Sequence, residues 1–190
     1  GDNEMTYDDE QVMAMDRALG THLAGAIERN DFANADKINV VHLRFSNSAI
    51  PGNGLGAFLS DRLDILVEGG AQDGVAKCAK GGTLAVLRGM NHDGKRLDGS
   101  VGKSFAYGAQ YGSFIVQGDA DTRACIRLSG ADVVFGGEVK EPLRDELGGG
   151  CGVRTKHGVE LGEKGTHAVT NGVVVDRERV QAGDIGETGA

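Results

Sequence analysis

The segment Val41-His42-Leu43-Arg44-Phe45 is the first of six short apolar runs that decide the fold. The others are Leu63-Asp64-Ile65-Leu66-Val67, Thr83-Leu84-Ala85-Val86-Leu87, Ser113-Phe114-Ile115-Val116-Gln117, Ala131-Asp132-Val133-Val134-Phe135 and Val173-Val174-Val175. The central residues of successive runs are separated by 22, 20, 30, 18 and 41 positions. Most steps are near twenty or twice twenty, and the step of 30 contains a polar insertion at residues 91–98. A strand-like run that recurs at about 20 residues is typical of a solenoid.

Glycine separates these runs. The chain has 32 glycines among its 190 residues, about 17% against an average near 7%. There are only 2 prolines, so the chain is neither a collagen nor a proline-rich linker. Because the glycines alternate with apolar runs, they indicate tight turns, in which glycine adopts a positive φ without steric cost.

The composition predicts a narrow core. Aromatic residues make up 5% of the chain and tryptophan is absent; stacked aliphatic side chains need few rings. One rung per about 20 residues gives six or seven rungs, stacked at about 4.8 Å. The predicted fold is all-β, a single-stranded right-handed parallel β-helix, with the hand that parallel crossovers favour.

A short N-terminal α-helix is predicted ahead of the solenoid, at residues 16–29. Asp16 is its predicted N-cap, and Asn30-Asp31 end it. Residues 1–12 are acidic, and we expect them to be frayed. The predicted divisions are a polar segment with this helix (1–37), the β-helix (38–176) and a polar tail (177–190).

The charge balance bears on partners and location. The net charge of −8 argues against a nucleic-acid-binding protein, which would show a basic face. No run of 18 apolar residues exists, so no membrane span is predicted. The polar first residues do not resemble a signal peptide. These features predict a cytoplasmic protein that binds neither nucleic acid nor membrane.

Two glycine motifs formally resemble nucleotide-binding loops. Gly102-Lys103-Ser104 resembles the end of a phosphate-binding loop, but Leu97 stands where that motif needs glycine. Gly52, Gly54 and Ala57 fit a relaxed dinucleotide fingerprint, but no helical pattern follows to receive a pyrophosphate. Corner glycines explain both motifs better.

No catalytic, cofactor-binding or metal-ligating set is predicted. None of the five histidines has ligand spacing, although His157 and His167 could face one another across rungs. The three cysteines are widely spaced and are interpreted as reduced structural thiols. The carboxylate pairs are interpreted as solvated turn charges. These residues are His22, His42, His92, His157, His167, Cys78, Cys125, Cys151, Asp8-Asp9, Asp119/Asp121 and Glu138/Glu141.

Several longer stretches resemble the last domain of the glutamate synthase large subunit, the glycine-repeat (GXGXG) β-helix family. The resemblance extends over roughly residues 15–175 and includes a Gly56-Ala57-Phe58 step that also occurs in that domain. The stretches are Asp16–Ile27, Leu43–Ala49, Gly56–Leu59, Leu66–Lys77, Gly99–Gln110 and Arg127–Val134. The chain is also similar to the β-helix subunit of formylmethanofuran dehydrogenase.

The resemblance implies a non-catalytic scaffold in a free-standing version. Its expected partners are a glutamine amidotransferase subunit and a synthase subunit that holds FMN and an iron–sulfur cluster, and a homo-oligomer is also open. The complex would form glutamate or N-methylglutamate. One alternative is the scaffold subunit of a formylmethanofuran dehydrogenase or formyltransferase/hydrolase complex. A further alternative is a self-standing hydrolase or nucleotide enzyme that depends on His157, His167 or Lys103.

Overall fold

The computed structural model describes residues 3–31, 35–140, 152–155 and 158–161. Within these ranges the chain forms ten β-strands, one α-helix, α1 (Thr21–Arg29), and a short 3-10 helix (Ala35–Lys37). The strands are β1 (Glu4–Asp9), β2 (Val40–Ala49), β3 (Leu63–Gly69), β4 (Lys80–Leu87), β5 (Gly89–Met90), β6 (Arg96–Leu97), β7 (Tyr111–Val116), β8 (Asp132–Phe135), β9 (Gly152–Thr155) and β10 (Gly158–Leu161).

Eight of these strands form one sheet in the order β1-β2-β3-β4-β7-β8-β9-β10. Every pair from β1 to β9 is parallel, and β10 is antiparallel to β9. β5 and β6 form a separate antiparallel pair at the insertion. The predicted all-β class with one short helix is therefore confirmed, and the central residues of the five apolar runs up to Phe135 all lie on strands.

In-register pairing stacks like positions into columns. Leu43, Ile65, Leu84, Phe114, Val133 and Val153 form one inward column. All of its members are buried, because side chains at alternate strand positions point to the same face. Phe105 packs edge-on against Phe114 and Phe135 at ring-centroid distances of 6.3 and 5.6 Å. Four buried phenylalanine rings, these three and Phe45, and a set of aliphatic residues thus fill the interior.

A second, shorter parallel face lies beyond the strand corners. Single-residue parallel bridges join Ala71 to Val101, Val101 to Ala120 and Ala120 to Val139. Ala71, Val101 and Ala120 are buried. Each repeat therefore contributes a strand, a corner, a bridge residue and a turn, and each part lies next to its equivalent in the next repeat.

The helix begins later than predicted. α1 starts at Thr21, and its N-cap is Gly20, with φ 81°, rather than Asp16. The Asp16 carboxylate instead accepts the N–H of Met13 at 2.9 Å, which closes a turn before the helix. The predicted end is confirmed, since Asn30 is the C-cap in the left-handed conformation.

The expectation that residues 1–12 are frayed is wrong for residues 4–9. They form β1, which pairs with β2 in parallel, and Tyr7 lies opposite Leu43. Met5 and Tyr7 alternate with polar residues as in a strand, but the acidic composition of the segment favours the interpretation as a frayed end. The run Val173-Val174-Val175 and the tail 177–190 lie outside the described residues.

Candidate functional site

The glycine motif forms a stack of four six-residue turns at residues 53–58, 73–78, 103–108 and 122–127. In each turn, three alternate residues have a positive φ between 51° and 82°. They are Gly54, Gly56, Phe58; Gly74, Ala76, Cys78; Ser104, Ala106, Gly108; and Arg123, Cys125, Arg127. This alternation is the conformation for which a Gly-x-Gly-x-Gly spacing is suited. Only four of the twelve positions hold glycine, so residues of other types adopt the same positive φ at the remaining positions.

Hydrogen bonds between turns hold this backbone in place. A non-glycine residue in the left-handed conformation costs roughly 1–2 kcal/mol. The N–H of Phe58 donates to Lys77, that of Cys78 to Tyr107, and that of Gly108 to Ile126, each at 2.8 Å. Every turn is thus a template for the next, and the stack offsets strain that an isolated turn would not tolerate.

The turns also bury two columns of side chains. Leu55, Val75 and Phe105 occupy one column, and Leu59, Ala79, Ala109 and Leu128 the other. None of the seven is measurably exposed. The motif therefore acts as a packing element, and ten of its twelve positive-φ residues donate their backbone N–H to a neighbouring coil.

The two loops that resemble nucleotide-binding motifs belong to this stack. The N–H of Lys103 donates to the carboxylate of Asp73 at 2.8 Å, so that amide is already hydrogen-bonded within the protein. The N–H of Gly54 donates to the carbonyl of Asp73 at 2.8 Å. Neither loop opens a helix, which is the element that a phosphate cradle requires.

Polar side chains of the turns bridge coils, a role that sequence analysis missed. Asp119 accepts the N–H of Glu138 at 2.7 Å, and Asn53 accepts that of Asp73 at 3.2 Å. The N–H of Thr122 lowers the pKa of Asp121, and Lys140, at 3.2 Å, contributes further. These carboxylates are therefore structural partners of the next coil rather than only solvated charges. Their signal in the sequence is the recurrence of Asn, Asp or Ser at the coil period.

The insertion at residues 91–98 folds back onto an earlier coil. The N–H of His92 donates to Asn47 at 2.9 Å, and the Ser48 hydroxyl donates to the carbonyl of Lys95 at 3.1 Å. His92 Nε2 lies 3.0 Å from Glu10 Oε2. Asn47 and Ser48 both have a positive φ, so the insertion fastens a strained corner.

The remaining described histidines and cysteines are dispersed. His42 lies on the outer sheet face, where Nδ1 is 3.4 Å from Asp64 and Nε2 is 3.6 Å from Glu4. Cys78 is half-buried and Cys125 is buried, and neither forms a disulfide. His22 is exposed on α1. His157, His167 and Cys151 lie outside the described residues.

The described ranges hold neither a candidate metal site nor a candidate membrane span. Within them, no three His, Cys, Asp or Glu side chains converge as a metal site would require. In the same part of the chain, no helix has the length and apolar character to cross a membrane.

Similarity to known proteins follows the same stack. The family model described as GXGXG motif matches residues 2–173. The chain is 30% identical over 155 residues to ferredoxin-dependent glutamate synthase of Pyropia yezoensis, covering 80% of this chain and 10% of that protein. It is 31% identical over 122 residues to the large chain of NADPH glutamate synthase of Azospirillum brasilense, covering 64% and 8%.

A third relative carries a different electron donor in its name. The chain is 29% identical over 127 residues to NADH glutamate synthase of Saccharomyces cerevisiae, covering 66% of this chain and 6% of that protein. The chain thus spans a tenth or less of the length of these curated relatives. The resemblance to the glutamate synthase large subunit is confirmed, and the chain belongs to the GXGXG motif family.

Proposed function

We propose that this chain is a non-catalytic structural subunit of a glutamate-synthase-like complex. Its proposed architecture is a right-handed parallel β-helix of six or seven rungs. The observation that carries the proposal is the family match over residues 2–173, the range that contains the stacked turns. The turns support a scaffold role because their amides and inward side chains are used in joining coils.

The partners are proposed from the relatives. Each relative is a glutamate synthase in which the matched segment is a tenth or less of the length. The chemistry would then belong to other subunits: a glutamine amidotransferase that releases ammonia, and a synthase that adds it to 2-oxoglutarate. FMN and an iron–sulfur cluster would lie in the synthase subunit, and the complex would be cytoplasmic.

The names of the relatives also bear on whether this chain determines the electron donor. Ferredoxin, NADH and NADPH enzymes all match the same chain. A module shared by enzymes with three different donors is poorly suited to choose the donor. This favours a role in holding active centres in register.

The test is purification of the native complex from the source cell through a tag on this chain, with mass spectrometry of the co-purifying proteins. We expect an amidotransferase and a flavin/iron–sulfur protein, and glutamine-dependent glutamate formation by the complex. Activity should fall when this chain is removed and return when it is added back. Recovery of formyltransferase or molybdenum/tungsten subunits, or a chain with no partner, would contradict the proposal.

A further inference from the structure

The first coil, defined as residues 4–20, lies at one end of the described sheet and leaves two inward side chains more than half exposed. Met5 and Tyr7 hold inward positions, opposite Val41 and Leu43 of β2. Val41 and Leu43 are 6% and 7% exposed, whereas Met5 and Tyr7 are 53% and 55% exposed. The inward column is therefore covered in the second coil and uncovered in the first.

The uncovered positions border a groove of about 600 Å³. Its apolar lining consists mainly of Tyr7, Val12, Met13, Met15, Leu43 and Phe45. Met13 and Met15 are highly exposed, at 55% and 82%. Methionine side chains adapt readily to an apolar partner, so this lining is suited to receive one.

The backbone of β1 offers a second means of recognition. In the described part of the chain, β1 is the edge strand of the large sheet, and β2 is its neighbour on the inner side. An edge strand presents a row of N–H and C=O groups to which an extended segment can add. The groove and the edge belong to the same coil, so one extended segment can use both.

The negative charge of the first coil favours an extended segment with positive charge. The first coil contains five acidic residues and one basic residue, Arg17. Local hydrogen bonds hold some of these carboxylates in place: Asp9 accepts from the Tyr7 hydroxyl at 3.0 Å and from the N–H of Gln11 at 2.8 Å. Pairing of β1 with β1 of a second copy would bring like charges together. A basic segment avoids that repulsion.

We propose that the first coil binds an extended segment of a partner protein that adds as a strand to β1. Its apolar side chains fill the groove, and its lysine or arginine side chains lie beside the carboxylates of residues 3–16. This inference goes beyond the proposed function and stands independently of it, because it concerns the purified chain and any partner with such a segment.

The test uses two labelled synthetic peptides matched in length to β1. One alternates valine with lysine, and the other alternates valine with glutamate. We expect fluorescence anisotropy to show binding of the lysine peptide, with binding of the glutamate peptide weaker by about tenfold or more. Hydrogen exchange should show new protection of the amides of residues 4–9 when the lysine peptide is bound.

Two matched variants locate the binding. Met15→Lys places a cation in the groove and should weaken the lysine peptide by about tenfold. Met90→Lys makes the same change at a methionine of β5 that is 56% exposed, and it should leave binding unchanged. Both side chains are exposed, so we expect both variants to fold, as circular dichroism will verify.

Three results would overturn the proposal. The first is absence of binding by the lysine peptide, or equal binding of the two peptides. The second is equal weakening in both variants, which would place the peptide elsewhere. The third is protection of residues 4–9 in a dimer without peptide, which would assign the edge to a second copy of this chain.

Discussion

The first coil and the coil that begins at β7 use the same path with opposite results. In the later coil, Phe114 is enclosed by Leu84 on one side and Val133 on the other, and it is buried. In the first coil, Tyr7 has Leu43 as its cross-strand neighbour on one side and is more than half exposed. An inward side chain in this fold is therefore buried when a coil lies on each side of it. In a coil with one neighbour, the same position stays exposed.

The comparison predicts that truncating a side chain in an enclosed coil destabilises the fold much more than truncating one in the first coil. Phe105→Ala removes a fully buried ring that contacts two other rings, and we expect the free energy of unfolding to fall by about 3–5 kcal/mol. Met5→Ala in the first coil should change it by less than about 0.5 kcal/mol. Urea unfolding of both variants and the parent chain measures the two values.

Phe58→Ala supplies the matched control for the ring itself. Phe58 is 56% exposed on the outside of a turn, so its truncation should resemble that of Met5. A loss for Met5→Ala or Phe58→Ala that approaches the loss for Phe105→Ala would show that the first coil and the turn surface are packed more tightly than their exposure indicates.

Two glycines with nearly the same positive φ sharpen the comparison. Gly82 has φ 72°, and a Cβ there would meet the carbonyl oxygens of Leu63 and Ser60. Gly94, in the insertion, has φ 78° with open space around it. Gly94→Ala should lower the free energy of unfolding by about 1 kcal/mol through backbone conformation alone. Gly82→Ala should cost about 3 kcal/mol, because the collision adds to that strain.

Thermal unfolding of both glycine variants separates the two contributions. Equal losses would mean that the coils shift apart to admit a methyl group, and that the closed part of the stack is less rigid than its hydrogen bonds indicate. The insertion variant is also a control for expression and handling, since a methyl group at Gly94 meets open space.

The strands could be predicted because their apolar runs are local. β2, β3 and β4 each contain alternating or continuous aliphatic residues, and the twenty-residue step indicates stacking. β1 has the same alternation, but four of its six residues are polar or acidic in the order Glu4-Met5-Thr6-Tyr7-Asp8-Asp9. Its strand conformation depends on pairing with β2, which no local pattern shows.

The turns show the other limit of the sequence. Glycines at 54 and 56 mark the first turn, whereas the turn at 122–127 contains none and has the same alternating backbone. The N–H of Cys125 donates to the carbonyl of Phe105 in the preceding turn at 2.8 Å, and this bond between turns supports the conformation. Similarly, the attachment of His92 to Asn47 joins residues 45 positions apart, and nothing in either segment alone predicts it.

The smallest expected effect is a difference in pH dependence between the two regions. Asp121 joins two inner coils, and its pKa is lowered by the N–H of Thr122 and by Lys140. The carboxylate of Asp9 accepts a hydrogen bond from Tyr7 and raises the pKa of that hydroxyl above its ordinary 10.0. Both groups are at the surface, so each contribution is small.

The signs of these two contributions are opposite. A lowered carboxyl pKa stabilises the fold above the ordinary value of 3.8, and this contribution is lost as the pH falls through the lowered pKa. A raised tyrosine pKa stabilises the fold below 10.0, and this contribution is lost as the pH rises through the raised pKa. Urea unfolding across the pH range should therefore show Asp121→Asn flattening only the acid limb and Tyr7→Phe only the alkaline limb. Because Asp121 links two coils and Tyr7 bonds within one strand, the acid change should be the larger. The reverse order would mean that β1 is held more firmly than its single neighbour implies.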